Sequence, residues 1–311
     1  MHGALAARWL FLSELAVEFV LTPSFLPMLN ANPPPASIEV HGHRGCRGLR
    51  PENTLPAFLH ALELGVDVLE LDVIISADKQ VVVSHEPWLN PAICLDPTGK
   101  PIPAGGSAQF NLYEMSYRLI RACDCGLLRH PDFPGQLSQP AHKPLLAEVF
   151  AAVEAACQRL RRPPVRYAVE LKSSPAGDGR YHPFPSEFLA LVVAEIEAAS
   201  LMARTHLLCF DARILRLAHQ QNRALATCLL LEDGQPWTQH IGRLGFVPTT
   251  LGPAFRTVTP AAVQELRAAY PTLRLVPWTV NSVPDMRRLL ALGLDGLTTD
   301  YPDRLISLLA E

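Results

Sequence analysis

At 311 residues, with 49% hydrophobic and 18% charged content, the chain is long enough to bury one large core, and an α/β barrel of this size is commonly a single domain. A formal net charge of -3, with basic residues scattered and no basic run longer than Arg161-Arg162, leaves no electrostatic footprint for nucleic acid. The seven cysteines (Cys46, Cys94, Cys123, Cys125, Cys157, Cys209 and Cys228) do not repeat as a metal or disulfide framework would. Cys123-Asp124-Cys125 therefore reads as local packing, and free thiols suit a reducing compartment.

Residues 1–36 form the first segment. Apolar stretches at 9–12 and 15–21 are interrupted by Glu14 and Glu18, no small-x-small cleavage site precedes Pro33-Pro34-Pro35, and Pro23 and Pro27 break the run too early for stable membrane insertion. Two readings stand: an imperfect signal-like segment, or an amphipathic tail. Localisation is accordingly left between the cytoplasm and export.

Beyond it, apolar, β-branched runs at 38–43, 67–74, 165–171, 205–210, 225–231, 246–251, 273–280 and 295–299 predict eight strands. Helix-like spacing follows most of them, at 54–64, 185–199, 212–219, 260–269 and 284–292. Asn53 or Thr54 offers an N-cap to the first helix with Pro56 in its first turn, and Asp303 opens the last. Such alternation predicts parallel pairing through right-handed crossovers, and eight units close into a (β/α)8 TIM barrel spanning 37–311. The stretch from about 87 to 140 breaks the rhythm with Pro, Gly and polar residues. It reads as an insertion after the second strand that covers the site.

Charged residues cluster where a barrel carries its chemistry. Glu70 and Asp72 alternate around Leu71, Glu170 ends the third strand, and His43 ends the first; strand residues two apart face the same side, so these groups converge on one rim. Three carboxylates about 4–5 Å apart repel by roughly 3–4 kcal/mol per pair at an effective dielectric near 20, so the cluster calls for a cation. All-oxygen ligands favour a hard divalent ion. His85 closes the strand-like run 80–84 and reaches the same rim, which makes His43 and His85 the proton-transfer candidates. Trp278 has two readings, a core aromatic at the barrel mouth or a contact within the site. Glu52 and Asn53 read as braces of the first loop.

The ordered set His43-Arg44-Gly45, Pro51-Glu52-Asn53-Thr54, Glu70-Leu71-Asp72, Val83-Ser84-His85, Glu170-Leu171-Lys172 and Trp278-Thr279-Val280-Asn281 closely resembles the glycerophosphodiester phosphodiesterase family, over about 38–305. The resemblance implies hydrolysis of a small glycerophosphodiester to glycerol 3-phosphate and an alcohol. It also implies one Mg²⁺ or Ca²⁺ on Glu70, Asp72 and Glu170, His43 and His85 as general base and acid, and Arg44 and Lys172 on the phosphate. Where the family often has Asp after the second histidine this chain has Glu86, which is left out of the site. Three rival readings remain: a phospholipase D-like activity on lysophospholipids, a metal-dependent amidohydrolase suggested by His41-Gly42-His43 and Asp300, and an inactive phosphodiester-binding barrel. Nothing in the sequence specifies an oligomeric state.

Overall fold

The computed structural model describes residues 38–311 apart from Ala104 and Gln235, so the segment 1–36 lies outside the described residues. β1 (Glu39–Gly42), β2 (Val68–Ile75), β4 (Arg166–Leu171), β5 (Thr205–Cys209), β6 (Ala226–Leu231), β7 (Thr250–Pro253), β8 (Arg274–Leu275) and β9 (Gly296–Thr299) pair in parallel in the order β8-β7-β6-β5-β4-β2-β1-β9. Between the two ends of that order, backbone hydrogen bonds from Asp295 to Leu275, Thr298 to Pro277 and Val280 to Thr298, at 2.8–3.1 Å, close the barrel. β2 is buried along its whole length, as a parallel strand covered on both faces must be.

The helices behind the strands carry one apolar face each. α1 (Leu55–Leu64) is capped by the Thr54 hydroxyl, which accepts from the Ala57 amide, and stops at Gly65 with φ +103°. α3 (Leu146–Arg159), α4 (Pro185–Ala198), α5 (Ala212–Gln221), α6 (Trp237–Leu244), α7 (Pro260–Ala269), α8 (Val283–Leu290) and α9 (Pro302–Leu309) complete the ring, with α3 and α6 additional to the segments singled out by spacing. The main core lies between ring and barrel, built on residues such as Phe58, Phe150, Tyr167 and Phe188. No described helix is long and apolar enough to cross a membrane.

Several expectations need correction. The 246–251 run forms β7 later, at Thr250–Pro253, because Gly245 ends α6 in a left-handed conformation and Pro248 delays the ladder. The 273–280 run pairs as a ladder only at Arg274–Leu275 and continues as a single bridge from Trp278 to Ala254. Pro302, not Asp303, opens α9, its fixed φ suiting the first helical position. The cysteines are not all free thiols either: Cys94 and Cys125, 31 residues apart with Cα atoms 4.0 Å from each other, form a disulfide, while Cys123 stays reduced.

The run before His85 is β3 (Val81–Val83), which turns back antiparallel on β2 and takes no place in the barrel order. From its end the chain makes a long excursion, with α2 (Tyr117–Arg121), before entering α3. Ile74 and Val82, on the outer face of that hairpin, pack with Leu89, Ile93, Leu112, Ile120 and the disulfide pair in a second core. The excursion thus buries the outer flank of β2 and β3. No described residue of the stretch 87–140 lines the cavity described next, and only Pro87 and Trp88 at its start border the groove beside it.

Candidate active site

The register of β2 on β4 sets Asp72 directly beside Glu170 and Glu70 beside Ala168. Because all three acids face inward, one carboxylate oxygen from each lies within 4.8 Å of the others, and all three residues are buried. Burial pushes Glu70 and Glu170 above the usual carboxylate range, Glu70 with the charges of Asp72 and Glu170 adding to it; at Glu170 the Lys172 ammonium opposes the rise. At Asp72 burial acts upward too, but is outweighed by the charges of His85, Lys172 and Arg44. The Lys172 ammonium sits 2.6 Å from Glu170 Oε1 and 3.6 Å from Asp72 Oδ1.

These residues fit a metal ion. Asp72 Oδ1 is buried with no hydrogen-bond partner, a costly state for a carboxylate oxygen. The donor set is oxygen alone, and separations under 4.8 Å suit ligands about 2.0–2.6 Å from a common cation.

His43 leaves β1 one residue beyond its end and is held from both sides. Its Nδ1–H donates to Asp300 Oδ1 at 2.6 Å, and its Nε2 faces the cavity 3.9 Å from Glu70 Oε2. An ionised Asp300 can only accept, so Nδ1 carries the proton and Nε2 the lone pair. Burial pushes the His43 imidazole down, against the pull of Asp300. Arg47 and Asn281 hold Asp300 in turn, at 2.8 Å and 2.7 Å. His85 follows β3 on the same cavity, with its Nδ1 3.0 Å from Glu86 Oε1.

The first loop is folded tightly beneath these groups. Arg44, at φ +49°, offers its backbone amide to Glu70 Oε2 at 2.8 Å and its Nη1 to Glu52 Oε1 at 2.7 Å, with Nε 3.3 Å from Asp72. Asn53, at φ +54°, donates to Asp72 Oδ2 at 2.9 Å. Glu52 and Asn53 therefore brace the loop, and Asn53 also orients one of the clustered acids. His130 of the excursion stands 3.5 Å from Glu52, and Gln136 Nε2 donates to the Arg47 carbonyl at 2.6 Å.

Every residue singled out in the sequence (His43, Arg44, Glu70, Asp72, His85, Glu170, Lys172 and Trp278) comes to one rim, and all but Asp72 line a cavity of about 400 Å³. Trp278 donates Nε1–H to the Gly252 carbonyl at 2.8 Å and packs edge-on to Phe210. Two orienting residues escaped the sequence reading. Asp300 enters the sequence reading only through the amidohydrolase pattern, although an acid at the end of the last strand, beside the first, is a signal for it. Glu86, left out of the site because it stands where the family often has Asp, reaches His85. His41, the other half of the amidohydrolase pattern, points away to Glu39 at 3.1 Å.

A sequence model of the glycerophosphoryl diester phosphodiesterase family matches residues 43–304. The chain belongs to that family. As a glycerophosphoryl diester phosphodiesterase family member it is a phosphoric diester hydrolase. It is 29% identical over 282 residues to a glycerophosphodiester phosphodiesterase of Bacillus altitudinis, covering 88% of this chain and 98% of the relative. A crystal structure from Silicibacter pomeroyi, provisionally named a glycerophosphoryl diester phosphodiesterase, is similar at a TM-score of 0.77 and 33% identity, covering 89% of this chain and 94% of that one. An Oleispira antarctica phosphodiesterase in complex with the product sn-glycerol-3-phosphate shares the fold at a TM-score of 0.69 and 19% identity, over 88% of this chain and 97% of that chain.

Proposed function

We propose that this family member hydrolyses glycerophosphodiesters to glycerol 3-phosphate and an alcohol, with one Mg²⁺ or Ca²⁺ on Glu70, Asp72 and Glu170 and with His43 and His85 as the proton-transfer pair. One observation carries the reading. Two imidazoles, each paired through Nδ1 with its own carboxylate, line the same cavity as Glu70 and Glu170 of a buried acid triad. The product complex of the Oleispira relative supports the substrate class.

Glu70, Asp72 and Glu170 would hold a hard divalent ion, which would supply Lewis-acid polarisation of a phosphoryl oxygen. His43, its Nδ1 proton tied to Asp300, presents the Nε2 lone pair and takes the proton of the attacking oxygen, that of water or of the substrate's glycerol hydroxyl, the latter route passing through a cyclic phosphate that water then opens. His85 gives a proton to the departing alkoxide, and Glu86 stabilises the imidazolium before that transfer. Lys172 and Arg44 neutralise the phosphate, Arg44 being held in place by Glu52. Trp278 lays its ring along the glycerol.

A second reading, a phospholipase D-like activity on lysophospholipids, has one observation in its favour. Trp88 and Tyr181, with ring centroids 5.7 Å apart, and the 40% exposed Phe210 form an aromatic flank next to His85 and Lys172 where an acyl chain could rest. A product assay on glycerophosphocholine, glycerophosphoethanolamine and a lysophospholipid, with and without EDTA, tests both. Release of glycerol 3-phosphate from the first two, abolished by EDTA and restored by Mg²⁺ or Ca²⁺, is expected. Turnover of the lysophospholipid alone selects the second reading, and EDTA-insensitive turnover overturns the metal assignment.

A further inference from the structure

Barrels of this kind are ordinarily filled by layers of bulky branched side chains. Here several positions under the acids are small, Ala168 below Glu170 on β4, Cys228 below Leu230 on β6, and Thr250 and Thr298 from β7 and β9, alongside the larger Val68, Leu208 and Val276. The site cavity consequently continues past the triad into the barrel and ends on the rings of His41 and His206. His41 sits two residues before His43, about 7 Å down the strand.

The wall of this lower chamber is largely apolar, with Ala168, Leu208, Cys228 and Val276, and its polar groups are Thr250, Thr298 and the two imidazoles, with no carboxylate or guanidinium among them. The Thr250 side chain is 4% exposed and lines the chamber, and its hydroxyl is buried with no hydrogen-bond partner. Burial, helped by the nearby charges of His41, Arg274 and Arg166, pushes His206 down to about 4, which leaves a neutral imidazole with one donor and one acceptor nitrogen. Arg166 and Arg274 lie outside the lining and close on a single carboxylate, Glu39 (2.8 Å to Arg166). A cationic group entering here meets the surplus of positive charge beneath, and an anion finds no cation in the chamber wall. A neutral group rich in hydroxyls can both donate to and accept from what is present.

We infer that the barrel interior beneath the acid triad is a subsite for a neutral polyol arm of the substrate diester, held by Thr250, Thr298 and His206. The inference rests on the phosphodiesterase reading of the rim. Vicinal hydroxyls are offered both by the glycerol common to these substrates and by a polyol alcohol on the other side of the phosphate, and the test separates the two.

Thr250→Val and His206→Leu are compared with wild type on glycerophosphocholine, glycerophosphoglycerol and bis(p-nitrophenyl) phosphate, which has no polyol. With one neutral hydrogen bond lost, kcat/KM on the glycerol substrates should fall about three- to tenfold relative to the nitrophenyl diester, mostly through KM, and Thr250→Ser should restore it. A fall on glycerophosphoglycerol that spares glycerophosphocholine assigns the subsite to the alcohol arm; a fall on both assigns it to the glycerol. Proportional effects on all three substrates, or none, overturn the subsite. Calorimetric titration of wild type and Thr250→Val with glycerol 3-phosphate and with inorganic phosphate, Mg²⁺ present, needs no turnover. Tighter binding of glycerol 3-phosphate that is lost in Thr250→Val upholds the subsite for the glycerol even if the diesterase assay fails; equal affinities for both ligands exclude the glycerol, and together with undiminished glycerophosphoglycerol turnover in Thr250→Val they overturn the subsite.

Discussion

At Asp72 a buried oxygen without a partner, an ammonium 3.6 Å away and two further acids describe a site whose charge is unbalanced until a cation binds. Glu70→Gln and Glu170→Gln each remove one anionic ligand, so both should weaken Mg²⁺ or Ca²⁺ binding in calorimetry and lower turnover together. Unchanged binding in both variants would remove these residues from the metal's coordination. The histidines separate by leaving group. Loss of either should cost on the order of 10²–10⁴ in rate. With a nitrophenyl diester, whose leaving group needs no proton, His85→Ala should recover and His43→Ala should not; equal losses on both substrates would defeat the division of labour. These residues were legible in the sequence because the two-residue repeat of a strand sends alternate side chains to one face wherever the strand lies. The partners that orient them were less so: Asp300 stands 257 residues from His43, and no local spacing joins them.

Among the elements, the first βα loop and the excursion carry most of the positioning. Gly45 adopts φ +86°, and a Cβ there would stand 2.7 Å from the Ala57 carbonyl carbon, so the loop can approach α1 only without a side chain. Gly45→Ala should cost about 2–3 kcal/mol in denaturant unfolding and, by lifting the Arg44 amide off Glu70, reduce metal affinity as well. Full stability in that variant would show that the loop relaxes freely. The excursion is a buttress with its own core, tied by Cys94–Cys125 across 31 residues. Closing a loop of that length is worth about 3–4 kcal/mol in the chain-entropy account. Cys125→Ser should therefore lower stability and expose residues between 92 and 138 to limited proteolysis before the barrel is cut. A cleavage pattern identical to wild type would argue that apolar packing alone holds the excursion. Its Pro and Gly content marked it in the sequence as a departure from barrel rhythm. Which side of the hairpin it covers depended on Ile74 and Val82 presenting an outer face in need of burial.

For the molecule as a whole, the two ends of the barrel are electrostatically distinct. The catalytic rim gathers acids, whereas at the other end Glu39 is enclosed by Arg166, Arg274 and His41. Burial there pushes the Glu39 carboxyl up, but the His41 hydrogen bond and the surrounding positive charges outweigh it and bring it from the ordinary 4.5 to about 2. A depressed folded-state value means stability that is present above the unfolded pKa and lost as pH falls through the folded one. Glu39 should thus contribute about 2–3 kcal/mol near neutrality, discounted for its partial exposure, that disappears between about pH 4.5 and 2. Glu39→Gln should be less stable at pH 7 and show a flatter acid limb over that window in urea melts. Parallel limbs in the two proteins would place the acid sensitivity elsewhere.

The amino-acid sequence by itself determined the alternation of strands and helices, the eight-unit barrel and the rim on which His43, Glu70, Glu170 and Lys172 meet, because each follows from local periodicity and from the fixed direction of side chains along a strand. Tertiary structure alone decided the pairing of His43 with Asp300, the Cys94–Cys125 bridge, the placement of the excursion on the outer flank and the open chamber below the triad. Those features depend on how β9 closes against β1 and on the summed volumes of inward residues from several strands, quantities that no single stretch of chain contains.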